Sequence, residues 1–171
     1  MKLKRCCIIG LIFVWITGSL FHFVYEWSGG NTLVGLFFPV NESTWEHMKL
    51  IFFPMILFSI FLSTRLSGEF PCVNSALLSG TLFGTFLIPV LFYTYTGILG
   101  FNYFLLDIST FLISAAAAFS AVYKLSLSCR FQKYTPLLCI LTLIVFEMFL
   151  IFTYFPPSIG LFADPLSVPK P

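Results

Sequence analysis

Charge is what this sequence has least of: Asp, Glu, Lys and Arg make up 9% of its 171 residues, against about 25% in soluble domains. That scarcity excludes an ordinary water-soluble globule. A net charge of +2 leaves no nucleic-acid footprint. No polar stretch is long enough to fold as a second domain, and no internal repeat supports an inverted-repeat transporter. Familiar chemical signatures are missing too. There is no phosphate-binding glycine loop, no Gly-x-Ser-x-Gly, no Cys-x-x-Cys and no His-Glu-x-x-His.

What abounds instead is apolar surface: 58% hydrophobic residues, 23 of them phenylalanine, and a mean hydropathy of +0.98. A spanning helix needs about 20 mostly apolar residues, because lipid offers the backbone no hydrogen-bond partner. Five segments qualify, at about 8–27, 45–63, 72–93, 102–123 and 135–154. The expected fold is therefore all-α, an integral membrane five-helix bundle in which residues 1–171 form one membrane-embedded domain. Its partner is the lipid bilayer, and no protein partner can be named. Pro54 and Pro89 fall inside spans, where neighbouring helices accommodate them.

Basic residues set the expected orientation. With the N-terminus in the cytoplasm, that side receives Lys2, Lys4, Arg5, Arg65, Lys124, Arg130 and Lys133, and the other only Lys49 and Lys170. The C-terminus is then extracytoplasmic. Aromatics agree: Tyr25, Trp27, Trp45, Tyr93, Tyr95, Tyr103 and Tyr154 fall at the outer boundary, and Tyr123 and Tyr134 at the inner one. Cys6, Cys7, Cys72 and Cys129 lie near the cytoplasmic side and Cys139 within a span, so no disulfide is expected. The basic start and apolar run also fit a cleavable signal, but the run extends to Tyr25, longer than a signal core. An uncleaved first helix is the better reading.

The acids are lopsided. Only Glu69 lies on the cytoplasmic side, while Glu26, Glu42, Glu46, Asp107, Glu147 and Asp164 lie outside or in outer halves of spans, as do both histidines. Ionisable groups in spans are functional hypotheses. At 1.5 Å per residue, His22 and Asp107 lie roughly 8 Å, and Glu147 roughly 10 Å, below their helix ends. Trp15, Ser19, His22 and Glu26 form one stripe on the first helix, and Asp107, Thr110, Ser114 and Ala118 another on the fourth. Both are expected to face the bundle interior.

The stretch Pro39 to Lys49 reads first as a helix start. Ser43 and Glu46 have capping-box spacing, Asn41 is a good N-cap, and Lys49 can pair with Glu46. That leaves His47 unexplained beside the His22/Glu26 pair. Histidines with nearby carboxylates match the ligands of a divalent metal such as zinc. The expected ligands are His22, Glu26, Glu46 and His47. Asp107 and Glu147 are the candidate catalytic bases, and Asn31, Asn41, Glu42 and Trp45 the candidate ligand-binding residues. Gly80 and Gly84, with Ala76 and Ala115 to Ala118, carry small-residue spacing that reads as close helix packing. Segment 28–44 forms an outer loop, interfacial or re-entrant between Asn31 and Val40. The tail 155–171 is expected to lie over the same face.

The stretches His22-Phe-Val-Tyr-Glu-Trp-Ser-Gly-Gly-Asn31 and Pro39-Val-Asn-Glu-Ser-Thr-Trp-Glu-His-Met-Lys49 resemble a family of small bacterial multi-pass membrane proteins of unknown function. Tyr154-Phe-Pro-Pro and Leu161-Phe-Ala-Asp-Pro165 resemble its C-terminal pattern, with Ser158 where relatives are expected to carry histidine. The resemblance implies a bacterial plasma-membrane location and brings no activity. A fainter similarity links the Glu-Trp…Asn…Asn-Glu-Ser layout to alkaline-ceramidase-type membrane hydrolases, whose late His-x-x-x-His pair is missing here. The function expected is an outer polar pocket for metal-assisted hydrolysis or for a lipid headgroup or small polar ligand. The rivals are ion- or proton-coupled transport through Glu147 and a non-enzymatic subunit docking a partner through residues 39–49.

Overall fold

Apolar runs of this length close their backbone hydrogen bonds within themselves, and the computed structural model, which describes residues 2–164, is accordingly all-α. Five long helices carry the mass: α1 (Lys2–Trp27), α3 (Thr44–Leu66), α4 (Val73–Leu99), α5 (Phe104–Ser128) and α6 (Thr135–Phe152). A one-turn helix, α2 (Thr32–Gly35), interrupts the connection from α1 to α3. All five long helices are apolar enough to cross a membrane. Several outrun the expected spans; α4 continues six residues past Tyr93. Hydropathy locates only the part in hydrocarbon, and a helix already nucleated continues into water until something stops it. For α4 that stop is Gly100, with a left-handed φ of 79°.

Helix α3 is the centre of the bundle, packed against α1 on one side and α4 on the other. Its first half, from Thr44 to Met55, is buried almost without interruption. Pro54 lies within this stretch and cannot donate to Leu50. The Leu50 carbonyl is met by Gly18 of α1, where an added Cβ would lie 2.5 Å from that oxygen. The buried face of α1 is Leu3, Cys7, Gly10, Val14 and Gly18, a stripe of mainly small residues. The expected polar stripe runs along its edge instead: Ser19 and Glu26 are exposed, and only Trp15 and His22 are half-buried. Size decides here, because small side chains admit α3 closely.

Helices α4 and α5 form a hairpin whose contact is also made by small residues. A Cβ on Gly84 would approach the Ala118 Cβ to 2.7 Å. Thr110, Ser114 and Ala118 are buried, as expected of their stripe, while Asp107 at its end is half-buried. At the opposite end of the hairpin, Cys72 and Cys129 are joined by a disulfide, with Cα atoms 5.2 Å apart. This corrects the expectation of five unpaired cysteines. The residues lie 57 apart in sequence, and only the pairing of α4 with α5 brings the two helix ends together.

Trp45 corrects another expectation. It is 3% exposed and packs on Phe149, Phe152 and Phe162, so it is a core residue and not an interfacial anchor. Phe162 belongs to the tail, which folds back over this end of the bundle; residues 165–171 of the expected tail lie outside the described residues.

Candidate metal centre

The Trp27 end of α1, the start of α3, the end of α6 and the connection between α1 and α3 converge at one end of the bundle. Helix α3 begins at Thr44, with Ser43 as N-cap in an extended conformation accepting from the Glu46 amide at 3.3 Å. The Ser43 amide donates to Asn41 Oδ1 at 3.0 Å, so Asn41 shapes the turn before the cap. Glu42 therefore precedes the helix and does not share a helical face with Glu46. The two carboxylates part company.

Glu46 points inward and is 2% exposed. Its Oε2 accepts from Lys49 Nζ at 2.7 Å and from the Val40 amide at 3.1 Å. Lys49 has no exposed surface and also donates to the Gly35 carbonyl at 3.0 Å and to Thr153 Oγ1 at 2.6 Å. Each charge in this interior pair is matched and hydrogen-bonded, the condition under which burying a charge is tolerable.

Glu42 turns the other way, between the histidines. Its Oε2 lies 3.5 Å from His22 Nε2 and 3.4 Å from His47 Nε2. One ligand atom from each of the three residues falls within 4.8 Å of the others. All three side chains are roughly one-third exposed. His47 Nδ1 lies 2.9 Å from the Ser43 carbonyl. A carbonyl only accepts, so Nδ1 carries the proton and donates it. In this tautomer the His47 Nε2 faces the Glu42 carboxylate, a position open to a proton or a metal ion. His22 first, and then His47, donates to the carboxylate and holds the Glu42 carboxyl well below its usual range, against partial burial.

A cleft of about 210 Å³ opens beside the cluster, lined by His22, Tyr25, Glu26, Asn41, Glu42 and Asp164. Glu26 lies on its wall, outside the three-residue group. Neither proposed base lines it. Asp107 accepts a hydrogen bond from Tyr95 across the α4–α5 turn, and Glu147 is exposed on the outward face of α6. Asn31 caps α2 by accepting from the Leu33 amide at 2.9 Å. The structure thus brings together His22 and His47 with Glu42, and sets Glu46 apart with Lys49. Tyr25 and Asp164, read from sequence only as an outer aromatic and an outer acid, line the cleft, and Thr153 joins the buried pair. Nothing in the local pattern flags Thr153, which sits 104 residues from Lys49.

Fold and site together define a class: multi-pass membrane proteins with a polar His/Glu cluster at one end of the bundle. The chain belongs to the family of unknown function DUF6512, whose model matches residues 1–168. Comparison with curated proteins gave no match, and neither did comparison with solved structures.

Proposed function

We propose that this protein binds a divalent cation of the zinc type at its extracytoplasmic surface, through His22, Glu42 and His47. The cation would keep an open position toward the cleft for metal-assisted hydrolysis of a polar, membrane-surface substrate. The observation that carries this reading is the pair of Nε2 distances to one carboxylate oxygen, 3.4 and 3.5 Å. Bonds of about 2.0–2.1 Å to a tetrahedral zinc ion set neighbouring ligand atoms about 3.3–3.4 Å apart, which the two edges to Glu42 match, while the three atoms together span up to 4.8 Å and the imidazoles would close on the ion as it binds. A charge-assisted N–H···O bond is shorter, about 2.7–2.9 Å. The Nδ1 bond of His47 to the Ser43 carbonyl supports the same reading, since it fixes the tautomer that leaves Nε2 free to ligate.

Three protein ligands with the fourth position open is the arrangement of catalytic zinc sites, where bound water ionises near pH 7. The cleft supplies room for a headgroup-sized polar ligand, and Glu26 on its wall is the candidate proton acceptor. The charge bias of the loops supports an extracytoplasmic position for this end. Elemental mass spectrometry of detergent-purified protein tests the site. Near-stoichiometric zinc, manganese or iron is expected in the parent and is lost from the His22→Ala/His47→Ala double variant while helicity is retained. Absence of metal from the parent after reconstitution would reduce the cluster to a protonated ion pair.

The rival readings fare less well on the observations. Trp45 and Glu46 are buried, which removes most of the side-chain surface a partner would grip at residues 39–49. Glu147 points away from the bundle, where no path through the protein would pass.

A further inference from the structure

Segment 35–42, which ends in Glu42, packs through Phe37 on Phe53 and through Phe38 on Phe21, and two of its backbone groups are bound by the buried pair of α3. Lys49 Nζ binds the Gly35 carbonyl at its start, and Glu46 Oε2 binds the Val40 amide near its end. Lys49 is tied in turn to α6 through Thr153, whose hydroxyl lies 3.3 Å from Glu46 Oε1. Gly35 itself is closed in, with a Cβ there reaching 2.4 Å from the Tyr154 hydroxyl oxygen. That hydroxyl donates to the Thr32 carbonyl at 2.7 Å. Charged groups hydrogen-bonded to backbone on both sides of a five-residue interval leave that interval little freedom.

A buried ion pair is an expensive way to fasten a loop, since apolar residues of equal volume often stabilise as well. It does, however, fix backbone positions to hydrogen-bond accuracy, which packing alone does not. We propose that Glu46 and Lys49 are positioning residues, whose role is to hold the Gly35–Glu42 segment so that Glu42 meets His22 and His47. The inference rests on the reading of those three side chains as a metal site. Carboxylates that orient ligands through hydrogen bonds change metal affinity by about 10–100-fold when lost. Here the same work is done through the backbone of a loop.

The test compares the full-length parent with Glu46→Gln/Lys49→Met, a change that removes both charges at nearly constant volume. Thr153→Val is a milder second variant that deprives Lys49 of one acceptor. Zinc affinity is expected to fall by about 10–100-fold in the double variant and by less in Thr153→Val. At saturation, the visible spectrum of the cobalt-loaded double variant is expected to shift, because the donor set changes when Glu42 is released. A purely stabilising pair would leave that spectrum unmoved. In metal-free protein, amide exchange at residues 36–42 is expected to quicken at least tenfold, with the long helices unchanged. Parent and variant with equal zinc affinity and identical cobalt spectra would overturn the positioning role and leave the metal site standing. A parent that takes up neither zinc nor cobalt would overturn the metal reading itself, and the inference with it. The exchange measurement would then still report whether the pair fastens the loop.

Discussion

Glu42 carries a negative charge that meets both imidazoles, and its protonation has a definite sign. Its folded pKa lies below the ordinary carboxylate value of 4.5 because His22 and His47 donate to it. A depressed carboxylate adds stability that is present above its unfolded pKa and is lost as pH falls through the folded one. The metal-free protein is therefore expected to lose thermal stability progressively below about pH 4.5, and Glu42→Gln to flatten that limb. Melting in detergent between pH 3 and 7 checks this; parallel curves for parent and variant would refute it. The same residue shows where sequence reading reached its limit. Both histidines were legible because they are the only two in the chain and lie at matching depth. The sequence favours Glu26 and Glu46 as the carboxylate ligands, because Glu46 adjoins His47 and both lie at the depth of the histidines. Whether Glu42 or Glu46 joins the histidines depends on where the helix begins. Asn41 and Ser43 both read as caps, and only the observed cap at Ser43 turns Glu42 outward and Glu46 inward.

Helix packing depends on a few places where backbones approach closely. At Gly18 an added side chain would strike the Leu50 carbonyl and the Phe111 ring, at 2.5 and 2.6 Å. The ring can rotate, but the carbonyl belongs to a central helix and cannot. Gly18→Val is thus expected to destabilise the fold by about 1–3 kcal/mol, the usual cost of overpacking. Its melting temperature should fall by several degrees, and an unchanged value would show that α1 can slide. Helix α6 offers the converse. Glu147 lies on its outward face with no hydrogen bond or ion pair among the described residues, and an acid at membrane depth costs a few kcal/mol. Glu147→Leu is expected to leave bound metal unchanged and stability equal or higher. Loss of metal in that variant would show that the residue reaches the cluster. The five long helices could be read from hydropathy because solvent alone dictates them. Their faces could not, since α1 buries its small residues and not its polar ones, a choice made by the shape of α3.

At the scale of the whole molecule, two rules meet at the end carrying Lys2, Arg65, Lys124, Arg130 and Lys133, and they point opposite ways. The excess of basic residues assigns it to the cytoplasm. The Cys72–Cys129 disulfide belongs to an oxidising compartment. Charge is the stronger guide, because Lys49 at the other end is neutralised internally by Glu46 and does not compete for the cytoplasm. Proximity, by contrast, follows from the α4–α5 hairpin whatever the redox state: the two cysteines cap adjacent helix ends, at Val73 and Ser128. A cytoplasmic position would hold the two cysteines in cells as thiols kept close, which oxidise on purification in air. Acid-trapped cells should yield protein that alkylates at all five cysteines, and air-oxidised protein should alkylate only at Cys6, Cys7 and Cys139. A reporter inserted after Arg130 should remain in the cytoplasm. An exported reporter, with only three cysteines alkylated in trapped cells, would invert the molecule. The His22/Glu42/His47 cluster would then face the cytoplasm, and its substrate would have to be sought there.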